Sequence, residues 1–225
     1  MTRLLILVEG VTEEKFVKIT LSPYLADFGV VCTAIPNTTS RTAIGTRSSG
    51  GVSTWGKVEK NLENLFAGNK NDWVTTLLDF YKLPQDTPNY DQSNLLSNPL
   101  DKVASLQEGM RKKFHYTRKF IPFVTLHEFE ALLFSDIAVL TSYFPENPAA
   151  FERLTKALND VVGNPELINH GKTTHPFARL CSAFPSYGTS KAKHGPVLAE
   201  KIGIEKILNT CPHFAAWVAQ LRALG

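Results

Sequence analysis

The 225-residue chain is poor in the features that mark several large protein classes. Its three cysteines, Cys32, Cys181 and Cys211, are scattered and lack metal-ligand spacing, which excludes a disulfide framework and a cysteine zinc site. No apolar run approaches the ~18–20 residues needed to cross a bilayer. The first such run, residues 4–8, stops at Glu9, too soon for a secretory signal core, so a cytoplasmic protein without membrane contact is expected. No internal repeat is evident. Charge of one sign is also missing: 24 basic residues face 21 acidic ones, a net +3 that permits nucleic-acid binding without requiring it. With 43% hydrophobic and 20% charged residues, the composition excludes wholesale disorder, a collagen-like chain and a coiled coil.

Three familiar motifs are approached and missed. Gly171-Lys172-Thr173 ends like a phosphate-binding loop, but the required earlier glycine is Glu166, so this chain binds no ATP by that means. His127-Glu128 opens like a zinc-protease helix, yet Ala131 stands where the second histidine belongs. Ser48 and Ser53 each lack one of the two flanking glycines of a nucleophile elbow.

What is present is an α/β pattern. Residues 3–8 (RLLILV), 30–35 (VVCTAI), 73–78 (WVTTLL) and 120–126 (FIPFVTL) read as short strands, the first buried on both faces as in a parallel sheet. Pro122 places the fourth at a sheet edge. Thr12 is a candidate cap for a first helix carrying Glu13 and Glu14 early and Phe16, Val17 and Leu21 on its apolar face. Residues 55–66 and 100–114 suit helices between the later strands. Beyond about residue 128 the strands stop and short helical patterns follow, over 129–134, 137–144, 149–162, 177–184, 196–202, 204–208 and 214–224. The expected architecture is an α/β core over residues 1–135, with a mostly parallel sheet flanked by helices, and a helical C-terminal part over 136–225 packed on it. The Phe- and Leu-rich C-terminal part serves equally as core or as the surface of a homodimer.

Three acids occupy equivalent positions: Glu9 after the first strand, Asp79 after the third and Glu128 after the fourth. Parallel strands would bring them to one sheet edge, where open α/β folds bind ligands. Carboxylates gathered there repel one another unless a cation intervenes, and all-oxygen ligands suit Mg²⁺ or Mn²⁺. Metal-assisted phosphoryl transfer is the chemistry such a set performs. Each acid alone is equally well a loop start or helix cap; Glu13 sits where a helix dipole favours it. Glu130 is a candidate outer ligand.

The basic candidates are more diffuse. Arg111, Lys112, Lys113, Arg118 and Lys119 interleave with Phe114, Tyr116 and Phe120, as a phosphate-binding surface with stacking groups does, or as a solvated helix end does. Lys191, Lys193 and His194 precede Gly195-Pro196 at the expected entrance to a helix, where bound anion would suit them. Arg41 and Arg47 lie in a Ser/Thr/Gly-rich stretch over residues 36–54 that is long enough to close over a nucleic-acid strand.

Together these segments carry a family resemblance. LVEGVTEEKF (7–16) resembles the first motif of Toprim domains, found in topoisomerases, primases and nucleases of the overcoming-lysogenization-defect type. With LLDFYKLP (77–84), LHEFEALLFSD (126–136), KHGPVLAEKIG (193–203) and CPHFAAWVAQL (211–221), nearly the whole chain resembles the DUF4276 family. The resemblance implies a Toprim-like core, a Mg²⁺- or Mn²⁺-dependent nuclease, and an ATPase partner of the SMC or ABC type in phage defence. On it, Glu9 matches the first-motif glutamate, with Gly10 letting the chain turn, and Asp79 opens the second acidic motif. The usual Asp-x-Asp is here Asp79-Phe80-Tyr81, so Glu128 or Glu130 would supply the missing ligand. The leading expectation has Glu9, Asp79 and Glu128 as metal ligands, Glu13 and Glu130 in support, and Lys191 or Lys193 on phosphate. The substrate would be DNA or RNA. The incomplete acidic motif also accommodates a non-catalytic subunit that regulates or tethers the ATPase, or binds nucleic acid without cutting.

Overall fold

The computed structural model describes residues 1–37, 54–68, 71–145, 147–168 and 171–225. Arg41 and Arg47 lie outside the described residues. Strand β1 (Thr2–Val8) leads into α1 (Val11–Phe16), which continues through a π-helical turn at Val17–Leu21 into α2 (Ser22–Ala26) and then β2 (Val30–Pro36). Helix α3 (Trp55–Gly68) precedes β3 (Trp73–Asp79); α4 (Tyr90–Asn94) and α5 (Pro99–Lys113) precede β4 (Phe120–Ile121) and β5 (Val124–Thr125). All pairings are parallel, in the order β2-β1-β3-β4, with β5 extending the pairing on β3. The expected mostly parallel sheet flanked by helices is therefore observed, with a helical C-terminal part.

Pro122 does what its chemistry dictates. It has no N–H for a ladder, so the edge strand breaks into β4 and β5 on either side of it. Threonines of β3 bridge the break. The Thr75 hydroxyl donates to the Ile121 carbonyl, and the Thr76 hydroxyl both donates to Phe123 O (2.7 Å) and accepts from Phe123 N (2.8 Å).

Side-chain alternation along the strands divides the core into two layers. Leu4, Ile6, Val8 and Leu77 join one apolar cluster, and Leu7, Val74 and Leu78 join the other. Helices α3 and α5 cover the second face through Trp55, Val58, Leu62, Val103, Leu106 and Met110. The first face is covered by α1 and by the C-terminal helices, α6 (Ile137–Tyr143), α7 (Ala150–Asn159), α8 (Pro176–Ala183), α9 (Pro185–Thr189), α10 (Lys191–Ile202), α11 (Ile204–Thr210) and α12 (Pro212–Arg222). Phe214, Trp217, Val218 and Leu221 are buried there as core. Trp217 stacks on Phe123 with centroids 4.4 Å apart and donates its Nε1–H to Thr75 Oγ1 at 2.9 Å. Burying an aromatic side chain of this kind is worth roughly 1.5–3 kcal/mol. One cluster thus joins β1 to the last helix.

Two helix starts differ from expectation. The first helix begins at Val11, with Gly10 before it and Thr12 inside its first turn. Helix α10 begins at Lys191, five residues ahead of Pro196, which lies within it. A proline there cannot donate to the carbonyl four residues earlier. That carbonyl, Ala192 O, instead accepts from Lys15 Nζ at 3.0 Å, so the missing rung ties α10 to α1.

Helix α12 starts on a distant carboxylate. Glu166, in a 3₁₀ turn at Pro165–Leu167, accepts from the amides of His213 (2.8 Å) and Phe214 (2.9 Å). These are orphan donors of the first turn. Burial pushes the Glu166 carboxyl up to about 7, against the pull of both amides. A folded-state value above the ordinary one means that the folded chain holds a proton which the unfolded chain releases between pH ~4.5 and ~7. Stability from this group is therefore full below pH ~4.5 and falls as pH rises to ~7. Urea unfolding should show the wild-type advantage over Glu166→Gln shrinking by up to about 3 kcal/mol from pH 4.5 to 8. An advantage that grows with pH would contradict this assignment.

Candidate active site

Strand order reverses at β1: β2 lies on one side of it and β3 on the other. Such a switch point opens a crevice at the carboxyl ends of the two central strands. Glu9 and Asp79 are the residues delivered there. The register pairs Val8 with Leu77, and the Glu9 amide donates to Leu77 O at 3.3 Å as a last rung. Asp79 N–H then faces Glu9 Oε2 at 3.4 Å. Gly10 follows with φ −159°, an extended conformation open to any residue, so the turn does not depend on glycine. Its amide donates to Glu13 Oε2 at 2.9 Å, which folds the Glu13 carboxylate back towards the strand end.

Asp79 is 2% exposed. Its Oδ1 accepts from Thr125 Oγ1 (3.2 Å) and the Phe129 amide (3.0 Å), while its buried Oδ2 has no partner among the described residues. Burial first, and then the carboxylates of Glu9, Glu13 and Glu130, push its carboxyl well above the ordinary range, with Lys191 acting in the opposite sense. Glu13 is raised for the same leading reason, burial, relieved in part by Lys191.

Two lysines balance this acid cluster. Lys82, at the end of a 3₁₀ turn (Phe80–Lys82) that leaves β3, lies 3.2 Å from Glu9 Oε1. Lys191 grips both oxygens of fully buried Glu130 at 2.8 and 3.0 Å, and Tyr187 Oη–H donates to the same carboxylate at 3.0 Å. Burial would lower the proton affinity of Lys191, but Glu130, Asp79 and Glu13 outweigh it and raise it, so the ammonium stays charged.

A cavity of about 360 Å³ opens over this edge. Glu9, Glu13, Lys82, Glu128, His175 and Lys191 line it, with Tyr81 and Phe177 beside them. Asp79 and Glu130 lie one contact behind its wall, through Glu9 and Lys191. Glu128, in the same lining, has partners of its own: its Oε1 accepts from His175 Nδ1 at 2.9 Å and from the Phe177 amide. Lys193 is exposed and outside the lining, and His194 packs on Tyr143, its Nδ1 3.0 Å from the phenol oxygen.

The other basic candidates are separated from this edge. Phe120 pairs with Val74 near the start of β3, so the segment before β4 lies at the N-terminal edge of the sheet. Lys119 Nζ caps Asn71 O there at 2.9 Å, before β3 begins. A seven-residue strand puts the two edges about 20 Å apart. Arg111, Lys112 and Lys113, at the end of α5, pair with Glu108 and Glu59, and Arg118 lines a separate hollow with Tyr116 and Phe66. Conversely, Lys82, Tyr81, His175 and Phe177 belong to the cavity and were not expected. Lys82 and Tyr81 directly follow Asp79, a signal that was there to read. His175 stands 47 residues from Glu128, beyond any local motif.

Residues 8–222 match the family described as "Domain of unknown function (DUF4276)". The chain belongs to this family. DUF4276 therefore covers both the strands that carry Glu9 and Asp79 and the helix that carries Lys191. No curated protein matches the chain. Among solved structures it is similar to the "C-terminal region of the Burkholderia pseudomallei OLD protein", at 14% identity and a TM-score of 0.49, with all of each chain covered. No helix among the described residues is long and apolar enough to cross a membrane.

Among the described residues no three His, Cys, Asp or Glu groups converge on one point as a ready metal cage. Mg²⁺ does not need one: it keeps much of its water and is commonly held by one or two carboxylates together with phosphate oxygens. Glu9 and Asp79, the latter with an unpartnered buried oxygen, fit that pattern. The same crowding makes the ionised cluster costly without a cation. Asp79→Asn keeps an acceptor for Thr125 and Phe129 while deleting one repelled charge, and should raise stability at pH 8 by about 1 kcal/mol, or ~2–4 °C in melting temperature. A lower melting temperature for this variant at pH 8 would contradict the repulsion.

Proposed function

We propose that this DUF4276 protein is a divalent-cation-dependent phosphodiester hydrolase with a Toprim-like site, acting on nucleic acid. The observation that carries the reading is the placement of Glu9 and Asp79, with its unpartnered Oδ2, side by side at the sheet's switch point, facing Lys191. Glu9 and Asp79 would hold Mg²⁺ or Mn²⁺. When bound, such an ion supplies charge for the phosphate oxygens and lowers the barrier to attack by water.

The chain's own residues complete the site. Lys191 presents a permanently charged ammonium to the cavity, fixed by Glu130 and Tyr187, and neutralises phosphate as charge builds in the transition state. Lys82 offers a second cation at the mouth, exchanging Glu9 for phosphate. Glu13 braces the strand end through Gly10. DNA and RNA both fit this chemistry. The partner implied by the family resemblance is an ATPase of the SMC or ABC type, with the hydrolase as its effector in phage defence.

A second reading has two observations in its favour: Lys82 and Lys191 each already pair with a carboxylate, and no three-acid cage is formed among the described residues. On it, the protein is a non-catalytic subunit that tethers or regulates the ATPase.

The two readings part in one assay. With Mn²⁺, the wild-type protein should cleave linear duplex DNA or single-stranded RNA, and Glu9→Gln should lose at least ~100-fold in rate with its melting temperature within about 3 °C of wild type. Equal cleavage by Glu9→Gln would overturn the hydrolase assignment. Absence of cleavage by both, with partner binding intact, would favour the tethering subunit.

A further inference from the structure

The cavity contains a second ionisable unit besides the acid cluster. Glu128 lies on the extended segment after β5, and its Oε1 receives two donors, His175 Nδ1 at 2.9 Å and the amide of Phe177 in the first turn of α8. A helix start favours a carboxylate at that place. A carboxylate only accepts, so Nδ1 carries a ring proton, and whenever the ring is neutral its lone pair is on Nε2. No hydrogen-bond partner of Nε2 is found among the described residues, and His175 lines the cavity. The ring is held in plane as well. Tyr81 stacks on it at 5.0 Å and 20°, and Phe177 lies nearly parallel at 6.4 Å and 22°. A histidine fixed by a carboxylate on one nitrogen and open on the other is the arrangement that general bases use.

Resting on the hydrolase reading above, we propose that His175 is the general base of the reaction. The water oxygen bonds to phosphorus as its proton passes to Nε2. The bond from phosphorus to the sugar oxygen breaks, its electron pair leaves on that oxygen, and the oxygen takes a proton from solvent. Glu128 and Tyr81 are positioning residues: Glu128 sets the tautomer and Tyr81 the ring plane. Glu9, Glu13, Lys82 and Lys191 are the other charged groups that share the cavity, and Arg179, bonded to Thr174 O, is the nearest cation along α8.

The test uses the full chain with Mn²⁺ and bis(p-nitrophenyl) phosphate. His175→Ala should lower kcat by about 100-fold with KM little changed, and added imidazole should restore ~10-fold or more. His175→Gln, which still donates to Glu128, should be as slow as His175→Ala but fold as wild type. Calorimetric Mn²⁺ affinity should stay within about twofold in both, because neither touches Glu9 or Asp79. Glu128→Ala should lower kcat, whereas Glu128→Gln, whose side-chain oxygen still accepts both donors, should keep most of it. A wild-type rate for His175→Gln, or a slow His175→Ala that imidazole does not restore, would overturn the assignment of His175 while leaving the hydrolase reading intact. No activity in wild type, or undiminished activity in Glu9→Gln, would instead overturn the hydrolase reading and this inference with it.

Discussion

The pairing of β1 with β3 is the constraint on which the rest of the site depends. Parallel register puts Val8 opposite Leu77, and the next residue of β1 and the last of β3 then emerge together. Because β2 lies on the other side of β1, these residues meet at a crevice and not along a covered edge. Everything else converges on that pair. Thr125 and the Phe129 amide fix one oxygen of Asp79, Gly10 turns Glu13 towards it, and α10 brings Lys191 across.

Electrostatics explains why the C-terminal helices belong to the site as well as to the core. Burial, and then the neighbouring carboxylates of Glu9 and Glu130, raise the proton affinity of Glu13 and Asp79. Removing the counter-charge of a buried group costs several kcal/mol, so Lys191 is a structural requirement whatever it does for a ligand. It reaches Glu130 because α10 starts at Lys191 and because Lys15 bonds the carbonyl that Pro196 leaves free. A site that stores repulsion in this way gives up stability, a pattern common where charge must later be met by a ligand.

Much of this could be read in the sequence. Continuous apolar runs ending in Glu9 and Asp79 identified buried parallel strands and their shared edge, and Pro122 marked the broken edge strand. Membership of DUF4276 agrees with motifs distributed from residue 7 to residue 221. Other features were hidden by competing rules. Pro196 looks like a helix start, yet the helix begins earlier because Lys15 satisfies the lost acceptor. Composition makes the basic run before β4 a candidate phosphate surface, but a segment that enters a parallel strand must lie at the opposite edge from one that leaves it. His175 becomes part of the site only through the packing of α8 against the 3₁₀ segment Phe129–Ser135, a long-range contact with no local pattern.

The proposed function stands or falls with a cation site formed by Glu9 and Asp79 at the switch point. The most direct measurement is an anomalous-difference map from crystals soaked in Mn²⁺. A single strong peak is expected, bonded to Asp79 Oδ2 and a Glu9 oxygen, with Lys82 displaced from Glu9. A map without density there at millimolar Mn²⁺, with Lys82 still paired to Glu9, would contradict it.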